Sequence, residues 1–142
     1  MNKIYPHLQI ALQELGVKEV AGDGDNPRIV EYLKSVEMRA DDEIPWCAAF
    51  VNWCLEQSGC AGTKRPNAKS YLSWGYSIKE PVPGAIVVFD RGKYKWQGHV
   101  GFFLDQTKSY VYLIGGNQEN KVSVRPYDKR KLEGYRWSSE FI

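Results

Sequence analysis

The apolar pattern of this 142-residue chain changes period part-way along, and that change limits the folds open to it. Up to about residue 58 the clearest pattern places Phe50, Val51, Cys54 and Leu55 at the three- and four-residue intervals of one helix face. From about residue 85 the apolar residues alternate instead, as Val100, Phe102 and Leu104 do around Gly101 and Phe103, in short runs broken by glycine and polar turns. Helices followed by a succession of strands indicate an α+β domain, with the helices on one face of an antiparallel sheet. We expect three N-terminal helices and five strands, at about residues 85–90, 98–105, 109–115, 121–126 and 134–138.

Three segments carry the helices. PHLQIALQELG reads as a surface helix ending at Gly16, and Asn26 with Pro27 reads as the cap and first position of a second helix. The third, PWCAAFVNWCLEQSG, spans roughly residues 46–58, with Pro45 ahead of its first turn and Ser58 and Gly59 closing it. Cys47 therefore stands at a helix N-terminus, where the dipole and unpaired backbone N–H groups favour a thiolate. The competing reading of Cys47 is a small buried hydrophobe, the usual fate of a free cysteine.

A nucleophilic thiol needs a base, and the chain has two histidines, His7 and His99. His7 lies in the first helical segment. His99 opens the strand GHVGFFLD after a polar, aromatic hairpin loop, so it can reach a helix end packed on the same sheet, although a histidine there can also merely decorate a hairpin. The next strand ends in GGNQ, and a polar residue there can lie beside the start of the His99 strand and orient the imidazole. Asn117 and Gln118 are the candidates, in a segment that is equally good turn sequence.

The order of these features, PWCAAFVNW, then GHVG, then GGNQ, resembles the CHAP and NlpC/P60 group of papain-like cysteine peptidases and amidases, in particular its small bacterial and phage branch. The resemblance runs from about Leu8 to Trp137 and includes the PVPGAIVVF segment that introduces the sheet. It implies a papain-like fold with Cys47 as nucleophile, His99 as general base and Asn117 in the third, imidazole-orienting position. Many CHAP domains carry a glutamate two residues before that asparagine, where this chain has Gly115. The implied activity is hydrolysis of a peptidoglycan amide bond without a cofactor. It gives peptidoglycan as the partner and, as the setting, a phage endolysin reaching the wall with the help of a holin. The alternatives are a secreted antibacterial amidase effector with an immunity protein, and a catalytically silent wall-binding module.

Further residues can be placed around such a site. Trp46 is adjacent to the thiol, and the loop DRGKYKWQ offers Arg91, Trp96 and Gln97 as one wall of a cleft, so Trp46, Trp96, Gln97 and Gln118 are the substrate-binding candidates. The same loop also reads as a solvated hairpin tip. The two histidines are far apart and no short Cys or His pairing occurs, which argues against zinc. GDGDNPR lacks the later ligands of an EF-hand, and the Asp41–Glu43 run reads as a polar loop, although some CHAP domains bind calcium near this point.

Composition restricts the remainder. The length suits one catalytic domain over residues 1–142, expected as a monomer, and 43% hydrophobic residues exclude a disordered chain. A net charge of +2 is too weak to argue nucleic-acid binding. Three cysteines argue against a disulfide scaffold; Cys47 and Cys54 are two helical turns apart, and reduced synthesis in the host cytoplasm follows. The first residues show no signal-peptide core and no segment is long enough to span a membrane, so access to the wall in the periplasm is expected to depend on another agent.

Overall fold

The computed structural model describes residues 3–20, 26–38 and 45–141. Three helices come first: α1 (Pro6–Gln13), α2 (Pro27–Ser35) and α3 (Cys47–Gln57). A 3₁₀ segment, Ala68–Ser73, leads into strands β1 (Tyr76–Ile78), β2 (Ile86–Asp90), β3 (Gly98–Gln106), β4 (Tyr110–Gly115), β5 (Ser123–Asp128) and β6 (Leu132–Trp137). Local chemistry sets the helix starts. The Asn26 side chain accepts a hydrogen bond from the Arg28 N–H at 2.8 Å and Pro27 sits at the first helical position. In contrast, α3 begins with no side-chain cap at Trp46, which leaves its first N–H groups available at Cys47.

The strands form one antiparallel sheet in the order β1-β6-β2-β3-β4-β5. It has six strands, one more than expected. The additional strand, β1, is only three residues long and mostly exposed, so it carries no apolar alternation; pairing with β6, with Tyr76 opposite Trp137, creates it. The central strands β2 and β3 are buried on both faces. One face carries Val88, Val100, Phe102 and Ile114 against α1 and α3, where Leu8, Phe50 and Leu55 complete the main core. The other face carries Val87, Phe89, Phe103 and Leu113.

That second face is covered by the sheet itself. Three strand spacings of a flat sheet are about 14 Å, yet the ring of Tyr127 on β5 lies 5.3 Å from that of Phe89 on β2. The sheet therefore curls, bringing β5 back over β2 and β3, aided by a register shift between Phe103 and Asp105.

The first helix is packed, not superficial. His7, Leu8 and Ala11 are buried, and the His7 Nε2–H donates to the Gly84 carbonyl at 2.8 Å while its ring stacks on Phe141 at 3.9 Å. His7 thus ties α1 to the turn that introduces β2. Among the described residues no helix is long and apolar enough to cross a membrane.

Candidate active site

Cys47 opens α3, and α3 packs on β3. The backbone N–H groups of Val100, the residue after His99, and of Ala48 are near enough to favour its charged form. Burial pushes the thiol up from its ordinary pKa. The Val100 N–H, the charge of Arg91 and the Ala48 N–H pull in the other direction without overcoming burial. Cys47 accordingly rests as a neutral thiol.

His99 is 1% exposed and pairs with Phe89 across β2 and β3. Its Nε2 lies 2.8 Å from Oε1 of Gln118. The Gln118 amide nitrogen donates to the Ser123 carbonyl at 2.7 Å and to that of Leu113 at 3.4 Å. Two carbonyls at the nitrogen end require the amide oxygen to face the imidazole, so the proton of the neutral ring resides on Nε2. Nδ1 is then the basic nitrogen, and it is buried without a hydrogen-bond partner. Tyr127 stacks on the ring at 4.8 Å and 23°. Burial holds the imidazole pKa down to about 4; the Gln118 bond opposes this and the Arg91 charge adds to it. The imidazole makes no hydrogen bond to the thiol in this resting geometry, and such contacts commonly tighten only with substrate.

The residue that meets His99 is Gln118 and not Asn117. Asn117 has φ +57°, in the left-handed region that asparagine tolerates better than most residues, and the turn it makes swings Gln118 inward. The two glycines before it are there for space. A Cβ on Gly115 would stand 2.5 Å from Gln118 Oε1 and 3.5 Å from His99 Nε2, and one on Gly116 would stand 2.7 Å from both Phe50 and Trp46. No side chain at position 115 is compatible with this Gln118 placement, which accounts for the absence of a glutamate there.

Trp46, expected at the cleft, is 3% exposed. Its ring stacks on Tyr32 at 5.8 Å and its Nε1–H donates to Glu19 Oε1 at 2.7 Å, so it is core. Trp96 and Gln97 do line a cavity of about 470 Å³ together with Cys47, Pro45, Pro66 and Arg91. Trp96 is 70% exposed and stacks on Tyr94 at 5.8 Å. The Gln97 side chain accepts from the N–H groups of Lys93 and Tyr94 at 2.8 and 3.0 Å, and so holds the loop closed. A second cavity of about 290 Å³ lies on the His99 side, reaching Asn117, Gln118 and Tyr127, and Arg91 lines both. Tyr127 and the bridging position of Arg91 were not legible in the sequence, since only the curl of the sheet brings β5 to β3. The Asp41–Glu43 run lies outside the described residues, as does the whole GDGD segment at 22–25. Among the described residues no group of three or more His, Cys, Asp or Glu is arranged to hold a metal ion.

A helix N-terminus bearing a thiol, laid on a curled antiparallel sheet beside a strand with an amide-oriented imidazole, is a papain-like α+β arrangement. The family model for the CHAP domain matches residues 39–117, more than half of the chain, and the chain belongs to that family. Its members are typically cysteine-dependent amidases or peptidases that act on peptidoglycan. No curated protein sequence matches the chain.

Proposed function

We propose that this protein cleaves an amide bond of peptidoglycan, with Cys47 as nucleophile, His99 as general base and Gln118 as the residue that positions His99. The observation that carries the reading is the state of the imidazole. Its Nε2–H is committed to Gln118, and its one basic nitrogen is buried and unpartnered, next in sequence to Val100, whose backbone N–H favours the charged form of Cys47.

The chemistry follows from those assignments. Nδ1 takes the thiol proton as the sulfur attacks the carbonyl carbon, and the oxyanion forms near the uncapped N–H groups of α3. The protonated Nδ1 returns its proton to the leaving amine nitrogen, the C–N bond breaks, and a thioester remains on Cys47. Nδ1 then takes a proton from water as its oxygen attacks the thioester, and the thiol is restored with release of the acid. Because burial opposes both thiolate and imidazolium, proton transfer accompanies attack and does not precede it.

Purified peptidoglycan incubated with the protein is expected to release fragments with new amine and carboxyl ends, read by mass spectrometry. Cys47→Ala should release none. Undiminished release by Cys47→Ala, or none by the unaltered protein, overturns the proposal. The resemblance to small phage enzymes motivates placing this activity in host-cell lysis, and a neighbouring holin gene is expected. An adjacent immunity gene would point instead to an antibacterial effector.

A further inference from the structure

Arg91 follows β2 at the mouth of the active site and forms part of the wall of both cavities, the one containing Cys47 and the one reached by His99. Its charge acts at Cys47, His99 and Tyr127 alike, in keeping with its place in the wall of both cavities. The loop that carries it is held in shape: the Arg91 N–H donates to the Gln97 carbonyl at 3.2 Å, and Lys69 bonds Asp90 at 2.9 Å.

The His99-side cavity has three lining carboxylates, and each already has a cation. Asp90 pairs with Lys69 at 2.9 Å, Glu119 with Arg125 at 2.7 Å, and Asp128 with Arg130 at 2.6 Å. The two further cations of the lining, Arg91 and Lys131, make no close ion pair among the described residues, and Lys131 acts at longer range on Asp90 and Asp128. Two cations without a close ion pair, of which Arg91 lines both cavities, can receive an anion in this concave space, and arginine's planar fork matches a carboxylate in particular.

Building on the hydrolase reading, we propose that this cavity is a carboxylate subsite in which Arg91, assisted by Lys131, binds a free carboxylate of the peptide next to the scissile amide. Peptides with that carboxylate would be preferred over their carboxamides, and the substrate would lie with its acidic part on the His99 side. The other part would then extend into the cavity walled by Trp96. Arg91 thereby becomes a specificity-determining residue, and the partner chemistry is that of an acidic peptide.

The test uses two synthetic muramyl peptides differing only in a free carboxylate against a carboxamide beside the scissile amide. Calorimetric binding to the Cys47→Ala protein should favour the carboxylate form by on the order of tenfold, as a charge-assisted hydrogen bond would. Arg91→Gln should abolish that preference, Arg91→Lys should restore part of it, and Lys131→Gln should reduce it. Equal binding of the two peptides, binding of neither, or a preference that survives Arg91→Gln overturns the subsite. Cleavage by the protein with Cys47 intact is scored separately. Cleavage of both peptides without preference leaves the hydrolase and removes the subsite, whereas binding preference without cleavage leaves the subsite and removes the hydrolase.

Discussion

Titration of His99 can be worked through from the structure to a measurable stability. The imidazole is held at about 4, against 6.5 for an unhindered histidine, because burial penalises its charged form. A folded value below the unfolded one means that between pH 6.5 and about 4 the unfolded chain binds more protons. Stability is therefore fully present above pH 6.5 and is lost as pH falls through that window. A difference of about 2.5 units at 1.36 kcal/mol each corresponds to about 3 kcal/mol. With an unfolding entropy of about 2.1 cal/mol/K per residue, this lowers Tm by roughly 10 °C in a chain of this length. His7, whose pKa is also lowered by burial, adds to the loss in the same direction. The assay is thermal unfolding from pH 7.5 to pH 4 of the unaltered protein and of His99→Gln, so that the difference in slope isolates His99 from His7 and the carboxylates. With two histidines in the chain, ring Cε1–H resonances give the two titrations directly. A His99 resonance titrating near 6.5, or identical pH dependence of Tm in the two proteins, would refute the buried neutral imidazole and with it the assignment of Nδ1 as a ready base.

Other consequences are also open to measurement. Gln118→Leu leaves the His99 N–H buried without a partner, at about 1–3 kcal/mol, and removes one donor from the half-buried Ser123 carbonyl; kcat for wall-fragment release should fall well over tenfold with KM little changed, and an unchanged kcat would remove Gln118 from the mechanism. Gly115→Ala forces a Cβ to within 2.5 Å of Gln118 Oε1; it should reproduce the kinetic defect of Gln118→Leu, and the double variant should be no worse than either single one, whereas additive losses would show that the two act separately. Trp46→Phe gives up the Glu19 bond in the core, so the urea midpoint should drop by an amount equivalent to about 1 kcal/mol with KM unaltered, and a raised KM would return Trp46 to the substrate cleft. Alkylation of Cys47 by iodoacetamide should keep accelerating above pH 9, as a thiol raised by burial requires. A plateau from pH 5 to 7 would instead reveal a preformed thiolate–imidazolium pair.

The CHAP domain of this chain is an α+β frame whose parts differ in how far they follow from local sequence. Cys47 at a helix start, His99 at a strand start and the turn at Gly115–Asn117 each depend on a few neighbouring residues. Pro45, Gly98 and the paired glycines announce them before any packing is considered. The choice between Asn117 and Gln118 does not depend on neighbours alone. It turns on a left-handed φ at Asn117 and on two carbonyls, of Ser123 and Leu113, that orient the longer amide.

The periodicity of the chain alone pointed to helices before strands and an antiparallel sheet, with a thiol at a helix start and an imidazole at a strand start, because backbone geometry ties those features to residues three, four or two apart. Folding in three dimensions assigned the rest. It buried Trp46 against Tyr32 and Glu19, made a strand of Tyr76–Ile78 by giving it β6 as a partner, and set Arg91 between two cavities. It also curled the sheet until Tyr127 covered His99, and the resulting desolvation keeps the imidazole neutral. Each of these depends on residues distant in sequence meeting across the core, and burial of that kind has no local signature.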